Sequence, residues 1–497
     1  MQDAALDEVD RRFAFPIADG GTVQIEAPVL CVDLDGTFVC TDTLYECLAL
    51  VLRYRPWLFL LLPFWLMRGR ERLKKRLADI VGDQLHMELF PRRAEVVRLI
   101  EMARAHGRQV ELVSATHRDL LRTFEVDGLF DAIRGSGDGV NLKGSAKAAL
   151  LQSLHPDGFA YVGDSSADLP VWRAAETGLG VGLSARTRRS AAAAGIEVHE
   201  IARRTSWLRP LVKAMRIHQW AKNLLVFVSL GLALHNVTSG VVLRFIEAFG
   251  SFCVLTSGTY ILNDLFDLAA DRQHRRKRFR PLASGLLPIP VGGFAAILLI
   301  GAGLLAALLA DPHIALVLLT YLVLTLAYSF GLKRLALVDV LTISSLFTAR
   351  IVAGAFGYGV PLSPWLLIFS LFFFTSLALM KRSAELAQLE PGRKVAGRGY
   401  RAADGPFLLA MGTACSIGAL IVFALYVSDV SMVTAQYKSP EILWVALGVL
   451  GFWTMRMWLL TTRGEMDDDP ILFAVRDRPS VLLGIFTLAI AILAQLL

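Results

Sequence analysis

The sequence predicts an α/β domain built on a parallel sheet, followed by an all-α transmembrane bundle of nine helices. Three observations carry this. Residues 1–205 mix charge with short β-branched runs that end in an acid or a hydroxyl, as buried parallel strands do. From about residue 223 onward, long apolar runs alternate with short polar loops. The 497-residue chain is 55% hydrophobic with a mean hydropathy of +0.51, more apolar than a soluble protein of this size. The apolar residues are unevenly spread, so we divide the chain into domains at 1–205 and 206–497.

In the first domain, the run from Pro28 to Asp33 reads as a buried strand, and Asp33-Leu34-Asp35-Gly36-Thr37 follows it. A carboxylate at a strand's C-terminal end, with a glycine turn after it, sits where α/β sheets place their chemistry. A second strand, from Val110, ends in Ser114 and Thr116. Lys147 opens a helix after Gly144, and Lys143 is a less well placed substitute. A third strand, Tyr161-Val162-Gly163, leads to Asp164 and Asp168. Carboxylate, hydroxyl, lysine and acid pair, in that order, resemble the four motifs of the haloacid dehalogenase (HAD) superfamily. The resemblance implies a Rossmann-like sheet with a small helical cap, here about residues 41–104, and phosphatase chemistry. Asp33 would be the nucleophile, and Asp35 the general acid and then the general base. Ser114 and Lys147 would hold phosphoryl oxygens. Asp33, Asp164 and Asp35 (through its carbonyl) would bind Mg²⁺, with Asp168 in support. The acid at position 35, where ATPases of the superfamily have threonine, points to a phosphatase. The competing reading is a degenerate domain kept for folding.

Within the cap, Trp57 to Met67 is an apolar run interrupted by Pro63, with tryptophan near both ends and basic residues on either side. Eleven residues are too few to cross ~30 Å of hydrocarbon. The segment is either an interfacial membrane contact or a buried cap helix.

In the second domain, apolar runs fall at about 223–237, 241–262, 291–309, 313–330, 337–356, 363–380, 406–427, 440–460 and 480–497. Charge tests the arrangement. Arg272 and Arg275 to Arg280, Lys333 and Arg334, the stretch from Lys381 and Arg382 through Arg393, Lys394, Arg398 and Arg401, and finally Arg463, Arg476 and Arg478 all fall in alternate loops. The loops near Asp311, Gly357 and Ser428 contain only Lys438. The positive-inside rule then predicts a multi-pass protein of the cytoplasmic membrane, with the α/β domain and active sites cytoplasmic and the C-terminus outside. The acidic start lacks an apolar core, so no signal peptide is expected. The five cysteines form no ligand pattern and are expected to be reduced packing residues. The net charge of +7 lies mostly beside membrane segments, which argues for topology and anionic substrates and against nucleic acid.

The central stretch is Asn263-Asp264-Leu265-Phe266-Asp267-Leu268-Ala269-Ala270-Asp271, followed by Lys277 and Arg280-Pro281. A helix would put Asp264, Asp267 and Asp271 on one face, where a cation between them suits Mg²⁺ with substrate phosphates. Basic residues after them suit the phosphates. The alternative is a charge cluster that only sets topology. This pattern resembles the first Asp-rich motif of the UbiA superfamily of intramembrane prenyltransferases. The resemblance covers roughly 210–497 and implies nine helices and Mg²⁺-dependent diphosphate binding, with Asn263 supporting the metal.

A second Asp-rich motif, D-x-x-x-D, would be expected after the sixth span. Lys381-Arg382-Ser383-Ala384-Glu385 stands there instead, exchanging metal-binding acid for phosphate-binding base. Together with Gln219-Trp220-Ala221-Lys222-Asn223, Tyr328, Lys333 and Asp339, this resembles the decaprenyl-phosphate phosphoribosyltransferase branch of the superfamily. The resemblance implies transfer of 5-phosphoribosyl from phosphoribosyl pyrophosphate (PRPP) to a polyprenyl phosphate, with release of pyrophosphate. Lys277, Arg280 and Lys333 would neutralise pyrophosphate or the 5-phosphate. Lys381 and Arg382 would take a phosphate, with Glu385 beside them. Gln219, Lys222, Asn223, Tyr328 and Asp339 would complete substrate binding. Arg350, a charge inside a span, is a functional candidate by default. The HAD-like domain would then remove the 5-phosphate. The alternatives are an aromatic prenyltransferase using a prenyl diphosphate donor, or a membrane scaffold or transporter with a regulatory HAD domain. A lipid bilayer is an expected partner, and a homo-oligomer is compatible with the sequence.

Overall fold

The structure, a computed structural model, describes residues 13–125, 128–137, 140–231, 239–358, 363–387, 398–429, 433, 437–466 and 469–497. It divides into two compact units. The first runs to Ala214 and adds Leu262–Phe294; the second comprises Met215–Ile261 and Ala295–Leu497.

In the first unit, β1 (Phe13–Pro16) and β2 (Thr22–Ile25) form an antiparallel pair. The main sheet has six parallel strands: β3 (Val29–Val32), β4 (Gln109–His117), β5 (Ala132–Ser136), β6 (Ala160–Gly163), β7 (Thr177–Val181) and β8 (His199–Ala202). Their order is β5-β4-β3-β6-β7-β8. All four residues of β3 and of β6 are buried, which is why these strands read as unbroken apolar runs. The chain steps outward from β3 to β4 and β5, then returns to β6 on the other side of β3. That reversal opens a crevice at the C-terminal ends of β3 and β6. Helix α1 (Thr43–Tyr54) follows β3 and is capped by Asp42, whose carboxylate accepts the Leu44 N–H at 2.8 Å. Helix α2 (Arg70–Val81) packs on α1, while α3 (Ala94–Ala105) packs on β1 and β4. Helix α4 (Ser145–Leu154) carries Lys147.

Between α1 and α2, Pro56–Leu61 is a 3-10 turn and Leu62–Met67 a short helix. Trp65 is the one buried residue of the stretch, whereas Leu60 and Met67 are 83% and 87% exposed. Wholesale burial beneath the cap is therefore not what the structure shows. An exposed row of large apolar side chains fits the interfacial reading.

Eight described helices are long and apolar enough to cross a membrane. They are α5 (Ser239–Phe266), α7 (Ile289–Ala310), α8 (Pro312–Phe330), α9 (Val338–Tyr358), α10 (Pro364–Ala387), α11 (Gly405–Ser428), α12 (Leu443–Thr462) and α14 (Arg478–Leu496). Short helices α6 (Leu268–Gln273) and α13 (Pro470–Arg476) lie in the intervening segments. The predicted first span at 223–237 differs: Ile217–Phe227 is 3-10, Val228–Gly231 is a short helix, and 232–238 lie outside the described residues. Polar side chains of this stretch make inward bonds, such as Trp220 Nε1 to Ser257 Oγ at 3.0 Å. The count of nine is thus approximate.

In the second unit, α10 packs on α9 and α11. A polar clasp joins three helices: Trp458 Nε1 donates to Ser376 and Ser416, each at 3.1 Å, and the two serines lie 2.7 Å apart. Gly412 leaves room for the Trp458 ring, which a Cβ would strike. Outward-facing side chains such as Ile297 and Leu309 are apolar and exposed, as a lipid-facing surface requires.

Candidate active sites

At the crevice, Asp33 follows β3, and Lys147 Nζ lies 2.6 Å from its Oδ1. Lys147 also donates to the Val113 carbonyl at 3.1 Å and to the Tyr161 hydroxyl at 3.0 Å. The Tyr161 hydroxyl donates to Asp168 Oδ1 at 2.7 Å. The other Asp168 oxygen accepts from the backbone of Asp164 and Ser165, at 3.3 and 3.0 Å, so Asp168 braces the loop carrying Asp164. Asp35 stands in the field of this set and has partners of its own. It accepts the Thr43 N–H and hydroxyl at 2.8 and 2.6 Å, and the Thr116 hydroxyl at 2.8 Å. Ser114 is buried and accepts the Thr116 N–H at 3.0 Å. Gly36 has φ +76° and lies against the Asp164 carboxylate, which any Cβ would strike.

Burial pushes the Asp33 carboxyl up to about 7, although Lys147 pulls in the opposite direction. Burial and the neighbouring Asp33 push Asp164 well above the usual carboxylate range. Burial opposes the charge of Lys147, yet Asp33 and Asp168 hold it above its ordinary value. Carboxylate oxygens of Asp33, Asp164 and Asp168 lie within 4.8 Å of one another. This all-oxygen donor set fits Mg²⁺, the ion that the HAD and UbiA families generally use.

The Asp-rich stretch corrects one expectation. It is not one uninterrupted helix: α5 ends at Phe266, Asp267 (φ −100°) caps the start of α6, and the acids face two partners. Arg280 lies 3.1 Å from Asp264 and 2.7 Å from Asp271. Asp267 instead meets Arg53, at 3.2 Å. The hydrogen bonds run on through the kink, from Asp267 N to Asn263 O and from Asp271 N to Asp267 O. Asp271 is raised by burial, with Arg280 opposing. The two arginines occupy the positions a cation would take between these carboxylates, and the oxygen donors suit Mg²⁺ with phosphate. Lys277 is exposed nearby in sequence, in the 3-10 turn Lys277–Phe279.

Three charged clusters among the described residues of the second unit hold residues singled out from the sequence. In the first, Lys222 pairs with Asp469, and Lys381 lies in the field of both. In the second, Arg382 Nε donates to Asp339 at 2.7 Å, Nη1 reaches both Glu385 oxygens at 2.9 Å, and Nη2 donates to Tyr328 at 3.1 Å. The Tyr400 hydroxyl donates to the other Asp339 oxygen at 2.5 Å. In the third, Arg350 donates to Asn223 Oδ1 at 2.8 Å and to the Tyr321 hydroxyl at 3.1 Å, and stacks over Tyr321 at 4.9 Å. Asn223 is thereby committed to holding Arg350, with its amide directed at Cys253 and Thr256. Arg350, Asp339 and Arg382 are buried, so these two networks fix helices as much as they could bind anything. Gln219 and Lys333 are half-buried at the 3-10 segments Ile217–Phe227 and Leu332–Arg334. Arg393 and Lys394 lie outside the described residues.

Several contacts were not anticipated from sequence. Thr43 and Tyr161 hold Asp35 and Lys147 from eight and fourteen residues away, contacts that the spacing alone does not announce. Asp469 did leave a signal: it precedes Pro470 and caps α13, accepting the Ile471 and Leu472 N–H groups.

A membrane-crossing helical region joined to an α/β domain with an acidic crevice defines an integral membrane enzyme with a hydrolase-type domain. Residues 224–492 match the UbiA prenyltransferase family, and residues 30–173 match the haloacid dehalogenase-like hydrolases. The chain belongs to the UbiA prenyltransferase family and carries an N-terminal HAD domain. It is 39% identical to an uncharacterised protein of Sinorhizobium fredii, over 95% of this chain and 92% of that one. It is 30% identical to a decaprenyl-phosphate phosphoribosyltransferase of Mycobacterium tuberculosis, over 56% of this chain and 92% of the relative. A solved UbiA homologue from Archaeoglobus fulgidus, bound to GPP and Mg²⁺, aligns at a TM-score of 0.45 and 14% identity, covering 58% of this chain and 100% of that one.

Proposed function

We propose that the protein transfers 5-phosphoribosyl from PRPP to a polyprenyl phosphate and then removes the 5-phosphate. The observation that carries the first step is the cluster of Lys222, Lys381 and Asp469. Lys222 and Lys381 bring basic groups where a prenyl diphosphate enzyme would have acids for a second metal. That charge suits a donor rich in phosphate. The 30% identity to a decaprenyl-phosphate phosphoribosyltransferase supports the same reading.

In the transfer, an oxygen of the lipid phosphate attacks ribose C1 as the bond from C1 to the pyrophosphate oxygen breaks. Bound Mg²⁺ would stabilise negative charge on the leaving group. Asp264, Asp267 and Asp271 would hold it, with Asn263 in support. Arg280, Lys277 and Lys333 neutralise phosphate. Lys222 and Lys381 take the second phosphorylated group, and Gln219 lies beside Lys222 in sequence. Arg382, Glu385, Tyr328, Asp339, Arg350 and Asn223 hold the helices that present these groups.

In the hydrolysis, Asp33 Oδ attacks phosphorus and the bond to the ribose 5-oxygen breaks, with Asp35 giving that oxygen its proton. Water then attacks the aspartyl phosphate, Asp35 takes the water's proton, and phosphate leaves. Lys147 and Ser114 hold the phosphoryl oxygens. Asp33 and Asp164 would bind Mg²⁺ in this domain, with Asp168 bracing Asp164. The distribution of basic loops supports a cytoplasmic face for both activities.

The test is incubation with PRPP, polyprenyl phosphate and Mg²⁺, followed by lipid mass spectrometry. A pentose-bearing lipid phosphate is expected. Consumption of a prenyl diphosphate with an aromatic acceptor, and none of PRPP, would overturn the proposal.

A further inference from the structure

Within the first unit, helix α1 grips two sets of candidate site residues. Its first residue, Thr43, holds Asp35 through two hydrogen bonds. About one turn on, Glu46 pairs with Arg272 in a bidentate contact of 2.6 and 3.1 Å. That pair is buried and fully engaged: Glu46 also accepts the Thr41 hydroxyl at 2.6 Å, and Arg272 Nε donates to the Ala283 carbonyl at 3.1 Å. Two turns further on, Arg53 donates to the Phe266 carbonyl and lies 3.2 Å from Asp267 Oδ1.

Phe266 is the last residue of α5, so Arg53 satisfies a carbonyl near a helix C-terminus, where a cation is favoured. Asp267 is the residue at which the chain kinks before α6. A cavity of about 310 Å³, lined by Leu50, Phe90, Leu265 and Leu268, lies between α1 and this stretch. Arg53 and the Glu46–Arg272 pair are the polar ties between α1 and this stretch, and of the two only Arg53 reaches Phe266 and Asp267. Gly285 supports the same docking from the far side of the loop, since a Cβ there would meet Cys40 Cβ at 2.6 Å.

We propose that Arg53, from the cap helix of the HAD domain, is a positioning residue for Asp267 in the transfer reaction. The proposal rests on reading Asp264, Asp267 and Asp271 as ligands of the Mg²⁺–pyrophosphate group. It gives the HAD domain a second task that does not depend on its own chemistry: its cap helix sets the kink that aims Asp267.

The experiment uses the full chain in nanodiscs, with Arg53→Ala, Arg53→Lys and Asp267→Asn beside the parent. Pyrophosphate release from PRPP and polyprenyl phosphate is followed as Mg²⁺ is varied, and hydrolysis of p-nitrophenyl phosphate is followed separately. Loss of one charge-assisted contact is expected to raise the Mg²⁺ needed for half-maximal release by about tenfold in Arg53→Ala. Arg53→Lys should recover part of that shift, and p-nitrophenyl phosphate hydrolysis should be unchanged in both. An unshifted Mg²⁺ dependence in Arg53→Ala, with a shifted one in Asp267→Asn, would overturn the positioning role alone. If neither variant shifted, the metal-ligand reading would fall with it. Equal loss of both activities in Arg53→Ala, without rescue by lysine, would make Arg53 a folding contact only and also overturn the proposal.

Discussion

Lys147 lies 2.6 Å from Asp33 Oδ1, and the two are enclosed by Tyr161 and the Val113 carbonyl. Even with this partner, burial leaves the Asp33 carboxyl titrating at about 7. A metal needs the carboxylate form, so Mg²⁺ affinity should weaken as pH falls through about 7. The stability sign follows from the same shift. Asp33 titrates above its ordinary value of 3.8, so the metal-free domain loses stability as pH rises from there to about 7. Bound Mg²⁺ offsets that loss. Thermal unfolding with and without Mg²⁺ should show a larger stabilisation at pH 8 than at pH 6. Equal stabilisation at both would contradict the assignment of Asp33 as a ligand.

Lys381 and Arg382 are neighbours in sequence and should behave differently. Arg382 is engaged by Asp339, Glu385 and Tyr328. Truncating it leaves Asp339 buried beside fewer cations, so Arg382→Ala should lower stability by about 3–5 kcal/mol, seen as a lower Tm in detergent. Lys381→Ala should keep the fold and raise KM for PRPP or for the lipid phosphate. If KM for both substrates stayed at the parent value, Lys381 would leave the site.

Both architectures were legible because each has a strong local signal. Fully buried strands such as β3 and β6 announce themselves as apolar runs, and membrane helices by length and composition. The HAD residues were legible because the family motif fixes their order along the chain. The contact of Asp267 with Arg53 was not, because the two lie more than two hundred residues apart. The same holds for Arg382: sequence shows a cation where an acid was expected, but not that Asp339, Glu385 and Tyr328 converge on it. The span expected at 223–237 lies partly outside the described residues, and its described part begins as a 3-10 stretch with polar groups such as Asn223 turned inward, which hydropathy does not see.

Arg280 serves Asp264 and Asp271 together, which keeps these buried acids compensated without a metal. Asp264→Asn should therefore insert and fold normally while abolishing pyrophosphate release. Near-normal release at saturating Mg²⁺ would remove Asp264 from the metal site.

The exposed row that includes Trp57, Leu60 and Met67 should lie in the membrane interface. With Trp57 as the sole tryptophan of the segment, after Trp65→Phe, its emission should be quenched by brominated lipids in proteoliposomes. The contribution of Trp57 is obtained by difference against a matched Trp57→Phe sample. No quenching above that matched sample would place the segment in water.

The central claim is that one chain carries out transfer and then dephosphorylation, and Asp33→Asn tests it most directly. The substitution removes the phosphatase nucleophile and touches none of the Asp-rich segment. Incubated with PRPP, polyprenyl phosphate and Mg²⁺, the variant should release pyrophosphate at the parent rate, release no inorganic phosphate, and accumulate the lipid that still bears its 5-phosphate. Release of phosphate from that lipid as fast as by the parent would contradict the account.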